Sequence, residues 1–134
     1  MGEVHVSVRL ANASDVFMME QGQLDPSKVR SCEVDAVVDT GATRSAIPQH
    51  IVDLLGLTVS RQGNATLADG RRVSVGVSSP ISFEIEGRKT SEDAYIVGDT
   101  VLVGQTVLES TDLLVDCTNR RVIPGHPDGP VFRL

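Results

Sequence analysis

Asp39-Thr40-Gly41 stops an apolar run that would otherwise read as one unbroken strand, and no other feature constrains this chain as much. The run from Cys32 to Val38 is rich in apolar residues, so it predicts a buried strand leading straight into a polar turn. An Asp at the end of such a strand is unfavourable to bury as a lone charge; it marks hydrogen bonding, a partner charge or a chemical task. The tripeptide by itself also fits an Asx turn, in which the Asp side chain caps its own backbone. The residues around the turn decide how much weight it carries.

Upstream, Val4, Val6 and Val8 alternate with His5, Ser7 and Arg9 before Leu10, the period-two pattern of a strand with one buried face. Between Ala11 and Arg30, polar and Gly/Pro clusters surround the short run Val16-Phe17-Met18-Met19, which predicts loop, short strand, loop. Downstream, Pro48 precedes Ile51, Val52, Leu54 and Leu55 at helical spacing, and Gly56 ends the pattern. Asp69-Gly70, between Thr66-Leu67-Ala68 and Arg71-Arg72-Val73, predicts a two-residue β-hairpin.

Ile81, Phe83 and Ile85 alternate with Ser82, Glu84 and Glu86, and Gly87-Arg88 turns the chain towards Ala94-Tyr95-Ile96-Val97, giving two more strands. Val101-Leu102-Val103-Gly104 is another short apolar run ending in Gly, followed by one helical turn around Thr106 to Glu109. Leu113-Leu114-Val115 and Arg121-Val122-Ile123 bracket a further hairpin, before a tail holding Pro124, Pro127, Gly129 and Pro130. Many short strands and one or two brief helices predict an all-β domain over residues 1–134, with its core at about 4–124 and a tail at 125–134. Apolar strand, Gly turn and short helix occur around Asp39-Gly41 and again around Leu102-Gly104, a faint internal echo.

The 134 residues and 40% hydrophobic content are enough for one buried core. The formal net charge of -6 opposes approach to phosphate backbones and anionic lipid, so neither nucleic acid nor membrane is an expected partner. No stretch reaches the roughly 20 apolar residues that span a bilayer. Met1-Gly2-Glu3 opens neither a basic nor an apolar leader, so the expected compartment is the cytoplasm unless a precursor segment has been removed. Cys32 and Cys117 read as free thiols, and His5, His50 and His126 are too scattered to form a metal motif. No metal or cofactor is expected, and no Gly-x-Ser-x-Gly elbow points to a serine nucleophile.

The run Val37-Val38-Asp39-Thr40-Gly41-Ala42-Thr43, the helix from Pro48 to Gly56, the Asp-Gly hairpin and Val101-Leu102-Val103-Gly104 resemble, in this order, a retropepsin-like aspartic protease. That resemblance implies a closed, barrel-like acid protease fold with one lobe per chain, in which two Asp-Thr-Gly turns meet at a two-fold axis. It implies that Asp39 is one catalytic carboxylate of a homodimer hydrolysing peptide or protein substrates, the second coming from another copy. Thr40 would hydrogen-bond across the axis, Gly41 would leave room for substrate, and Ala42 would line the cleft. Ala68, Asp69 and Gly70 would tip a flap over substrate; Leu102, Val103 and Gly104 would pack behind the turn or line side-chain pockets. Asp99 and Thr100 are candidate specificity residues.

Two positions depart from the family pattern. Many retropepsins pair an acid after Asp-Thr-Gly-Ala with an Arg after the second apolar-apolar-Gly, and here those positions are Thr43 and Gln105. Both are neutral, so no charge is left unpaired, a hydrogen bond can take the place of the ion pair, and the two positions are expected to lie near each other. Arg44 would reach a carboxylate, meet a substrate main-chain group or stay solvated. The tail ending Val131-Phe132-Arg133-Leu134 either adds a strand to a dimer interface or is disordered. The alternative to an endopeptidase is a catalytically silent module of the same fold that grips a peptide or partner without cutting it.

Overall fold

A computed structural model describes residues 2–134; Met1, the first residue of the expected 1–134 unit, lies outside the described residues. In chain order the elements are β1 (Val4–Asn12), α1 (Ala13–Glu20), a single 3₁₀ turn (Pro26–Lys28), β2 (Ser31–Val38), β3 (Ala46–Ile47), α2 (Gln49–Leu55), β4 (Val59–Thr66) and β5 (Arg72–Ser78). They continue with β6 (Ile81–Ile85), β7 (Arg88–Glu92), β8 (Tyr95–Ile96), β9 (Leu102–Val103), α3 (Gln105–Thr111), β10 (Leu113–Asp116) and β11 (Arg121–Pro124). The protein is all-β as expected, with three short helices rather than one or two.

Nine strands form one curled, half-barrel sheet in the order β4-β5-β8-β3-β9-β2-β1-β6-β7, and β10 pairs with β11 in a second sheet. The alternation in β1 does what the sequence predicts: Val4, Val6, Val8 and Leu10 are buried while His5, Ser7 and Arg9 face out. Val8, Leu10, Ile47, Phe83, Val103 and Val107 belong to one apolar cluster, which the strands enclose and α2 and α3 close off. Pro48 caps α2, and Gly56 ends it in the left-handed region at φ 62, where a glycine carries no Cβ penalty.

The predicted short strand at Val16 to Met19 is instead α1. Asn12 explains it: its side chain accepts from the Asp15 N–H as an N-cap, and its amide donates to the Leu55 carbonyl at 3.0 Å. The apolar run misleads because α1 turns it outward, leaving Phe17 60% and Met18 41% exposed, while the residue it buries is Asp15. Asp15 accepts from the Arg30 backbone N–H at 3.0 Å and from its Nε and Nη2 at 2.8 and 2.9 Å, tying α1 to the start of β2. These bonds, the guanidinium first, hold the Asp15 carboxyl below its usual range.

Asp15→Ala is expected to lower unfolding stability by about 2 kcal/mol at neutral pH, because it strands a charge and a backbone N–H; half-exposed Arg30 keeps the figure at the lower end. A carboxyl with a depressed folded pKa contributes stability that is present above its unfolded pKa and lost as pH falls through the folded one. Urea titrations of the two proteins should therefore converge on acidification.

Two turns also differ from expectation. The Asp69-Gly70 hairpin has a three-residue loop, Ala68 to Gly70, in which the Gly70 N–H donates to the Leu67 carbonyl at 2.9 Å. Only Gly70, at φ 87, takes a positive φ; the Asp69 side chain accepts from the Arg71 N–H instead, and this bond with the Arg71 guanidinium holds its carboxyl below the usual range. The true two-residue turn is Glu86-Gly87, with both φ values positive at 51 and 75. It leads into β7, the polar edge strand Arg88-Lys89-Thr90-Ser91-Glu92, which has no apolar alternation to announce it.

Candidate active site

Asp39 sits where β2 leaves the sheet, and β9 fixes it there. Val37 and Val38 pair in parallel with Leu102 and Val103, and the Asp39 N–H donates to the Val103 carbonyl at 2.9 Å. The chain then turns: Ala42 N–H donates to the Asp39 carbonyl at 3.2 Å, and Gly41 N–H donates to Asp39 Oδ1 at 3.0 Å. The Asx turn is therefore real, yet it occupies only one carboxylate oxygen. Asp39 makes no ion pair among the described residues. A Cβ on Gly41 would stand 3.2 Å from Asp39 Oδ1, so glycine keeps that carboxylate uncrowded.

The two halves of the internal echo interlock at this point. From the second half, the Gly104 N–H donates to the Ser45 hydroxyl at 2.9 Å, Gln105 N–H to the Ala42 carbonyl at 2.8 Å and Thr106 N–H to the Thr43 carbonyl at 3.0 Å. Ser45 is fully buried. The loop after Asp39 thus hangs from the first turn of α3, and Gly104 lets the two backbones touch.

Asp39, Gly41 and Ala42 open onto a cleft of about 650 Å³ that is also bordered by the hairpin, through Leu67 and Ala68, and by Leu102. Thr40 is exposed outside it, Asp69 and Gly70 lie at the hairpin tip away from it, and Val103 is buried in the core. Asp99 and Thr100 border a neighbouring cavity of about 420 Å³ that shares Ala46, Leu67, Val97 and Leu102 with the first. The hairpin pairs with β8 only through Gly76 and Val77, so its outer part projects from the sheet with no strand beside it.

The sequence missed Tyr95 as a cleft residue, because it reads as one more apolar position of a strand. Its ring lies so close to β4 that a Cβ on Gly63 would stand 3.2 Å from it. Arg44 also borders the cleft, where it reaches carboxylates: its Nη1 lies 3.6 Å from Glu92 and 3.4 Å from Asp93. Positions 43 and 105 lie on segments joined by the backbone bonds above, but their side chains do not bond each other. Gln105 donates along its own helix to Glu109 at 3.2 Å, and Thr43 is bound through its backbone carbonyl.

Cys32 and Cys117 are free thiols. His5 pairs with Asp35 and Glu3, and His126 pairs with Asp112. The tail beyond β11 forms no strand, and Val131, Phe132 and Leu134 are exposed.

Residues 26–110 match a family model described as gag-polyprotein putative aspartyl protease. No curated protein matches the sequence. The matched span runs from the 3₁₀ turn to α3 and takes in the Asp39 turn, the projecting hairpin and the Gly104 crossing. The match covers more than half of the 134 residues and coincides with the part of the fold built around Asp39, so the chain belongs to this retropepsin-like aspartic protease family.

Proposed function

We propose that the protein is an aspartic endopeptidase in which Asp39 supplies one carboxylate of a catalytic pair and the same residue of a second copy supplies the other. The observation that carries this reading is the cleft itself. Among the described residues, Asp39 is the only carboxylate that borders it, whereas water attack on a peptide needs a base and an acid together. In the pair, the ionised carboxylate takes a proton from water as its oxygen bonds to the scissile carbonyl carbon. The protonated partner gives its proton to the carbonyl oxygen. Collapse of the tetrahedral intermediate then breaks the C–N bond, with a proton passed to the leaving amine.

Other positions support this reading. Thr40 is exposed next to Asp39, which agrees with its expected bond to the turn of a second copy. The projecting hairpin is suited to close over an extended peptide, with Ala68 towards the cleft and Gly70 at a positive φ in open space at its tip. In this reading the substrate is a peptide or protein strand lying in the cleft beneath the hairpin.

Specific activity should fall as the protein is diluted through the dimer dissociation range, in step with a fall in sedimentation coefficient. Cleavage that stays strictly proportional to the concentration of a sedimenting monomer would sink the shared-pair reading.

A further inference from the structure

On the loop after Asp39, Thr43 is bound through its backbone carbonyl and Gln105 bonds along its own helix, so the outer side of the loop is held by other side chains. Glu92, the last residue of edge strand β7, lies against that loop with its side chain only 11% exposed. Its Oε1 accepts from the Thr106 hydroxyl at 2.7 Å, and its Oε2 lies 3.6 Å from Arg44 Nη1. Thr106 in turn donates its backbone N–H to Thr43, and Arg44 is the next residue of the same loop. A threonine hydroxyl carries one proton, and the Thr43 carbonyl at 3.1 Å also competes for it. The shorter, charge-assisted contact to Glu92 wins, leaving Thr43 to the N–H.

We propose that Glu92 is a positioning residue for the Asp39 turn, clamping residues 43 and 44 from strand β7 by fixing Thr106 and, more weakly, Arg44. The role rests on the reading of Asp39 as the catalytic carboxylate, although the clamp itself can be observed without turnover. Arg44 is 39% exposed and also held by Asp93, so its pair with Glu92 is screened and partly redundant; the Thr106 bond is the main one. Glutamine at 92 keeps an oxygen acceptor for Thr106, whereas alanine removes it.

The test compares Glu92→Ala and Glu92→Gln in the full chain by amide hydrogen exchange, and by kcat and KM on the fastest-cleaved member of a diverse peptide library. In Glu92→Ala the Gln105 and Thr106 amides should exchange about tenfold faster while those of β1 are unchanged. Its kcat should fall about tenfold with KM within about twofold, because the loop is misplaced rather than the cleft emptied. Glu92→Gln should restore both. Unchanged exchange at Gln105 and Thr106, an equal acceleration throughout the sheet, or a Gln variant as impaired as the Ala variant would each overturn the clamp. If the wild-type protein cleaves nothing but the exchange pattern holds, the clamp stands and the protease reading falls.

Discussion

Asparagine at position 39 is expected to reduce peptide cleavage by at least about 10³-fold, the scale of losing an acid–base group, with folding and association unchanged. The substitution is nearly isosteric, and an asparagine Oδ1 can still accept from the Gly41 N–H, so the turn survives. Val103 still receives the backbone N–H of residue 39. What disappears is the carboxylate proposed to take and return a proton. Mixed dimers sharpen the prediction. With equal amounts of wild-type and Asp39→Asn chains pairing at random, only about a quarter of the dimers carry two aspartates, so activity should fall to about a quarter. A fall only to one half would mean that each chain works alone. On the proposed reading, the rate of the wild-type protein should also fall on the alkaline side, where a shared proton would be lost. Full activity of Asp39→Asn would end the proposal outright.

The parts of the fold legible in the sequence are those whose burial follows a simple period. Strand β1, strand β2 up to Asp39, helix α2 and the hairpin of β10 with β11 all show this, because one face of each meets the core. Helix α1 was illegible for the opposite reason. It exposes Phe17 and buries Asp15, and what holds it is the Asn12 cap and a three-bond tie to Arg30. The sequence signal was present as Asn12 followed three residues later by Asp15, but the neighbouring apolar run outweighed it. Strand β7 was illegible because an edge strand needs no apolar face, and the charged run Arg88 to Glu92 suits one.

The candidate site divides in the same way. Asp39, Gly41 and the hairpin could be found from local residue types, since a carboxylate after an apolar strand and a Gly-bearing turn are written in consecutive positions. Arg44 was legible as a neighbour of the turn, and the carboxylate contact it makes is one of the roles expected for it; which carboxylates it meets, and the places of Tyr95 and Glu92, depend on contacts between segments distant in sequence. The missing acid–Arg pair was legible as an absence at Thr43 and Gln105; its replacement was not. Its work is divided between the backbone bonds from Gln105 and Thr106 and a carboxylate on another strand.

Gly104 is where this crossing can be tested most severely. Its φ of -90 is open to any residue, so its identity is a matter of space rather than backbone freedom. A Cβ there would stand 2.5 Å from the Arg44 carbonyl carbon, 2.6 Å from its oxygen and 2.9 Å from the Ser45 N. All three are backbone atoms, so no rotamer change relieves the clash; the loop from Asp39 to Ser45 must move. Gly104→Ala is therefore expected to lower stability by about 3 kcal/mol in urea unfolding, the upper end for overpacking. Measured well below the unfolding transition, its kcat should fall about 100-fold, because a displacement near 1 Å at a reacting group has that effect. Gly70→Ala is the control that separates sterics from strain. Gly70 takes a positive φ of 87 but has open space around it, so alanine there should cost only about 1 kcal/mol, with far less effect on kcat. If Gly104→Ala proves as stable and active as the wild type, the two backbones do not meet at Gly104, and the loop that carries Asp39 is held by something other than β9 and α3.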